Sequence, residues 1–130
     1  MIIDSSALVA ILTSEPDGDL LEDALTDVLP RRISAVNYVE ASIVMDSKGR
    51  PVLSHALDNF LQAAQIGIEP VTVQQAQLAR QAYREYGRGR HRAGLNFGDC
   101  FAYALAKEKG EPLLFKGDDF RRTDVEVAEY

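Results

Sequence analysis

A chain of 130 residues has room for one hydrophobic core and little else, so a second domain of any size is excluded. Its 46% hydrophobic and 26% charged content excludes a disordered chain, and no apolar run is long enough to span a bilayer. A net charge of −6 argues against binding nucleic acid with the whole surface, and the single Cys100 excludes an internal disulfide framework and a multi-cysteine zinc site.

The opening Met1-Ile2-Ile3-Asp4 puts an acid where a secretory leader has basic and then apolar residues, so a cytoplasmic protein without membrane contact is expected. Ile2-Ile3 reads as a buried parallel strand ending at Asp4. Ser5 or Ser6 can cap the apolar helix that follows. Ser14-Glu15-Pro16-Asp17 restarts a helix, with Leu20, Leu21, Ala24, Leu25 and Val28 at helical spacing until Leu29-Pro30 closes it. Arg32-Ile33 is a short second strand. Ser34 caps a helix through Val36, Val39, Glu40 and Ile43 that ends near Lys48-Gly49, and Pro51 opens another bearing Leu53, Leu57, Phe60 and Leu61.

Gly67 is expected to stop that helix, with Ile68-Glu69-Pro70-Val71 as a third strand. Thr72 caps a long amphipathic helix through Ala76, Leu78, Ala79, Ala82, Tyr83 and Tyr86. Residues 87–94, rich in glycine and arginine, read as a flexible basic loop. Asn96 caps the next helix, putting Asp99 in its first turn, and Gly110 ends it. Pro112-Leu113-Leu114-Phe115 is the last strand, and the tail through Val125 and Val127 offers an edge strand. Helices and short buried strands alternate without repeats, which predicts a single α/β domain over residues 1–130 with a mainly parallel sheet.

Four acids stand at the edges of different apolar segments: Asp4, Glu40, Asp99 and Asp118. In an open α/β sheet the ligand crevice lies beyond the carboxyl ends of the strands. Carboxylates gathered there repel and lose solvation, so they persist mainly where a cation neutralises them. That pattern points to a hard divalent metal and phosphoryl-transfer or phosphodiester chemistry. Each acid has a plainer reading: Asp4 as a helix cap, Glu40 as a partner of Arg31 or Arg32, Asp99 as a carboxylate on a helix dipole. Arg80, Arg84, Arg88, Arg90, His91 and Arg92 form a basic stretch leading towards Asp99, which suits a polyanionic substrate or is simply a solvated helix face.

Four segments taken in order, Ile2-Ile3-Asp4-Ser5-Ser6-Ala7-Leu8, Ser34-Ala35-Val36-Asn37-Tyr38-Val39-Glu40, Asn96-Phe97-Gly98-Asp99-Cys100 and Leu113-Leu114-Phe115-Lys116-Gly117-Asp118-Asp119-Phe120, resemble the PIN-domain proteins, and among them the VapC ribonuclease toxins. The resemblance covers nearly the whole chain. It implies a three-layer domain whose mainly parallel central sheet is flanked by helices. It also implies a ribonuclease that uses Mg²⁺ or Mn²⁺, with Asp4, Glu40 and Asp99 as its acids and Asp118 as a fourth, less regular one. Asp119 stands as the alternative to Asp118, because Lys116 replaces a threonine common in relatives. Ser6 and Asn96 would orient Asp4 and Asp99.

On this reading Asp4 and Asp99 ligate the metal, Glu40 ligates it or orients the attacking water, and Asp118 holds a second ion. Arg88, Arg90, Arg92 and Lys116 would contact RNA phosphates. The resemblance further implies a homodimer and a VapB-type antitoxin as partner. Two other readings compete. A catalytically silent PIN-like module would bind RNA or protein without cutting. A magnesium-dependent phosphatase or receiver domain would need paired acids near the first strand, where Ser6 stands instead.

Overall fold

The structure, a computed structural model, describes residues 1–130. Strand β1 (Ile2–Ile3) leads into α1 (Ser5–Leu12) and α2 (Gly18–Asp23); β2 (Arg31–Ser34) leads into α3 (Ala35–Ser47) and α4 (Pro51–Ala63). Strand β3 (Ile66–Glu69) is followed by α5 (Val73–Tyr86) and α6 (Phe97–Lys109), and then β4 (Leu113–Leu114) precedes a 3₁₀ turn at Asp119–Arg122. The strands form a four-stranded sheet in the order β3-β2-β1-β4, and every pairing is parallel. Parallel strands are covered on both faces, and their residues alternate between the two. Ile3, Ile33, Ile66 and Leu114 join a core with α1 to α4, while Ile2, Leu113 and Phe115 join a second core with α5 and α6. The result is the three-layer arrangement, helices on either side of an all-parallel sheet.

The chain steps outward from β1 to β2 to β3 and then returns to lay β4 against the other side of β1. This reversal between β1 and β4 is where an open α/β sheet leaves a crevice at its carboxyl edge. The opposite edge is closed by ion pairs. The Met1 ammonium donates to Pro30 O and pairs with Glu111 at 2.6 Å, and Arg32 reaches Glu111 at 3.0 Å and Glu69 at 2.9 Å.

Some boundaries depart from the sequence reading. Asp4 itself, not Ser5 or Ser6, caps α1, its carboxylate accepting the Ser6 N–H. The second helix is a short one, and its expected tail to Val28 is a run of turns. Helix α4 ends at Ala63, with Ala64 as its C-cap, without help from glycine, because Gln65 takes the left-handed conformation (φ 55°). Strand β3 therefore starts two residues early and includes Gly67, its register set by pairing Arg31 to Ile66 and Ser34 to Glu69. The tail adds only one bridge, Val127 to Leu113. Residues 87–95 form a hydrogen-bonded turn rather than a loose loop: Arg88 N–H donates to Leu95 O, Leu95 N–H to Tyr86 O, and Ala93 is buried.

Candidate active site

Asp4 stands one residue beyond β1, at the head of α1, and is buried to 2% exposure. Its Oδ2 accepts from the Ser6 N–H (3.0 Å) and the Ser6 hydroxyl (2.6 Å), while Oδ1 is buried with no donor. Burial pushes its pKa from 3.8 up to about 6; the neighbouring Glu40 charge adds to this, and the Ser6 bonds oppose it. Ser6 does more than hold Asp4. Its hydroxyl oxygen also accepts the Lys116 N–H at 3.0 Å, so it links the ends of β1 and β4 across the crevice.

Glu40 comes from the second turn of α3, which Ser34 caps through the Val36 N–H. Its Oε1 accepts from the Ser5 hydroxyl (2.5 Å) and from Asn37 Nδ2 (3.3 Å). The same buried Asn37 amide donates to Gly98 O at 3.0 Å, tying α3 to the start of α6. Gly98 lies flat against the Glu40 carboxylate, where a Cβ would come to 2.1 Å from Oε2. No cation pairs with Glu40. Arg31 donates instead to the Ala64 and Leu25 carbonyls, and Arg32 is held by Glu69 and Glu111.

Asp99 is fixed by a reciprocal cap at the head of α6: its N–H donates to Asn96 Oδ1 (2.9 Å), and the Asn96 N–H donates to its Oδ2 (3.0 Å). The carboxyl nevertheless has its pKa raised to about 7, first by burial, then by the charges of Asp4, Glu40 and Asp119, against the lowering Asn96 bond. Asp4, Glu40 and Asp99 line one cleft of about 400 Å³ together with Ser5, Ser6, Asn96 and Lys116. The Lys116 ammonium is drawn to the rim by Glu15 and Asp17, the latter at 3.1 Å, so the cation in the cleft is already engaged.

Three acids thus meet with no cation of their own. They do not by themselves form a closed set of three metal ligands. The donor set still fits a small hard ion: Mg²⁺ keeps several waters and takes one or two carboxylates plus phosphate oxygens. The buried, unpartnered Asp4 Oδ1, and pKa values raised first by burial and then by neighbouring acids, mark a site that a cation would stabilise.

The PIN-domain family model matches residues 1–126. The chain belongs to the PIN-domain family, among its VapC members. It is 55% identical to a Ribonuclease VapC of Mycolicibacterium smegmatis over 96% of this chain and 97% of the relative. It is 53% identical to Ribonuclease VapC28 of Mycobacterium tuberculosis over 98% and 97% of the two chains. Among solved structures, Mycobacterium tuberculosis VapC20, described as a sarcin-ricin loop cleaving toxin, superposes with a TM-score of 0.74 over 98% of both chains at 20% identity, a likeness of fold.

Within this PIN domain the remaining site candidates, Asp118, Arg88, Arg90 and Arg92, lie outside the lining of the acid cleft. Asp118 is exposed in the turn after β4 and does not line the cleft; Asp119 is the one of the pair whose charge acts on Asp99. Arg88 lines the groove next to the cleft, Arg90 lies 5.9 Å from the Tyr83 ring centroid, and Arg92 is exposed, its carbonyl accepting from Arg122. Sequence reasoning missed Ser5, Asn37, Gly98 and Glu15. Asn37 stands three residues before Glu40 on the same helix face, which was a usable signal. Nothing in the sequence joins Glu15 to Lys116, 101 residues away. No helix is long and apolar enough to cross a membrane.

Proposed function

We propose that this PIN domain is a metal-dependent ribonuclease that acts as the toxin of a type II toxin–antitoxin pair, hydrolysing RNA phosphodiester bonds until a VapB-type antitoxin neutralises it. The observation that carries this reading is the convergence of Asp4, Glu40 and Asp99, from three distant segments, on one crevice with no protein cation to balance them. Asp4 and Asp99 are the residues that would hold Mg²⁺ or Mn²⁺, with Glu40 beside them and Asp118 or Asp119 on the rim. Once bound, the ion supplies a lowered pKa for water and neutralises charge on the scissile phosphate.

The chain's own groups do the rest. Ser6 fixes the Asp4 carboxylate by its hydroxyl and N–H. Ser5 and Asn37 hold Glu40 from one side, leaving it able to accept a proton from the attacking water. Lys116, Arg88, Arg90 and Arg92 meet the phosphates flanking the cut. The identity to full-length VapC ribonucleases supports both the RNA substrate and the antitoxin partner. An apolar patch on α3, with Val39 and Ile43 at 53% and 63% exposure, supports pairing of two copies.

Fluorescent RNA incubated with the purified chain and Mg²⁺ or Mn²⁺ tests the proposal. Cleavage should stop in EDTA and fall at least 100-fold on Asp99→Asn, while circular dichroism shows an intact fold. A variant that cuts at the wild-type rate, or a wild type indifferent to EDTA, would overturn the metal assignment.

A further inference from the structure

We propose that the groove between α5 and α6 receives an unpaired base of single-stranded RNA adjacent to the cut, a subsite for the substrate of the ribonuclease reading on which it rests. The groove is a cleft of about 570 Å³ whose floor is Ala79 and Cys100. Its walls are aromatic. Phe97, the most exposed ring lining it, meets Phe101 edge-on at 4.9 Å between centroids, and Tyr83 faces them from α5 at 40% exposure. No carboxylate lines the groove; its charged residues are Arg80 and Arg88, and Arg90 sits over Tyr83.

Exposed rings interleaved with guanidinium groups, on a protein of net charge −6, call for a planar ligand that also carries negative charge. A nucleotide is such a ligand: its base stacks on aromatic or guanidinium planes and its phosphates pair with arginine. A purely apolar peptide would use the rings and leave Arg80 and Arg88 without partners. The groove's position gives the register. Asn96 lines both this groove and the acid cleft, so a strand with one phosphate over Asp4 and Asp99 continues across Asn96 towards Tyr83.

The test measures binding of labelled hexaribonucleotides, base-bearing and abasic, to the full chain in EDTA by fluorescence anisotropy. Wild type should prefer the base-bearing strand, and Tyr83→Ala should weaken that strand about tenfold or more while leaving the abasic one unchanged. Tyr83→Phe should restore the preference, and Phe97→Leu should lose it independently if Tyr83→Ala misfolds. The proposal is overturned if Tyr83→Ala binds like wild type, if both strands weaken equally, or if wild type shows no preference for bases. It is likewise overturned if the variants alter only the sedimentation coefficient, which assigns the groove to a second copy of the chain. Failure of wild type to cut RNA with Mg²⁺ or Mn²⁺ would sink the ribonuclease reading alone, because base preference is scored without cleavage.

Discussion

Asp4 and Asp99 hold their protons to about pH 6 and about pH 7, far above the 3.8 of a free aspartate. An acid whose native pKa is raised binds more protons folded than unfolded, so ionising it costs stability. The contribution is present at low pH and is lost as the pH rises from about 4 to about 7. The metal-free protein should therefore melt several degrees lower at pH 8 than at pH 5, read by differential scanning fluorimetry. Mg²⁺ or Mn²⁺ should recover the loss at pH 8 and do little at pH 5, since protons and metal compete for the same oxygens. Asp99→Asn keeps the side-chain oxygen that can sit in this position, removes the charge, and should flatten part of that slope. A melting temperature independent of pH would contradict the electrostatic account.

Gly98 makes a sharper demand at the same scale. Its missing side chain is the space Glu40 occupies, so Gly98→Ala forces the carboxylate away from Ser5 and Asn37. Cleavage should fall at least tenfold, with a loss of thermal stability. In a Glu40→Ala background the same change should be nearly silent, because the colliding atoms are gone; a double-mutant cycle that shows plain additivity would refute the contact's importance.

At the scale of elements, α6 is the helix the site depends on most. Its first turn supplies Asp99, and its cap pairs that acid with Asn96, so one residue pair both terminates a helix and aims a carboxylate. Asn96→Ala should cost about 1 kcal/mol in urea denaturation, the usual worth of an N-cap. It should also lower activity more than that loss of folded protein explains. These features were readable beforehand: short apolar runs ending in an acid, and small polar residues before amphipathic stretches, declare strands and caps by local chemistry alone. The start of β3 was not readable, because Gln65 rather than a glycine takes the left-handed position that ends α4. Asp118 and Asp119 were indistinguishable for a similar reason. Both are exposed and only the Asp119 charge is felt at Asp99, a difference of position in a turn to which sequence spacing is blind.

For the whole molecule, charge is sorted rather than balanced. Ion pairs close the amino edge of the sheet, unpaired acids fill the carboxyl edge, and arginines border them. On the proposed function RNA would bind through these arginines, and each phosphate neutralised on a single strand contributes about −0.7 to the slope of log affinity against log salt. Three arginines predict a slope of roughly −2. Replacing Arg88, Arg90 or Arg92 by alanine should make it shallower by about 0.7 each, measured by KCl titration; an unchanged slope would place the phosphates elsewhere.

The Ser6 hydroxyl, bonded at once to Asp4 and to the Lys116 backbone, ties the first strand to the last. The pairing of β1 with β4 means that nothing near position 4 is finished until residues beyond 113 are in place. During translation the early segments emerge first and wait. A nascent chain that has emerged only as far as α6 is thus without its complete cleft, which closes only when β4 is laid against β1 and the Lys116 N–H reaches Ser6.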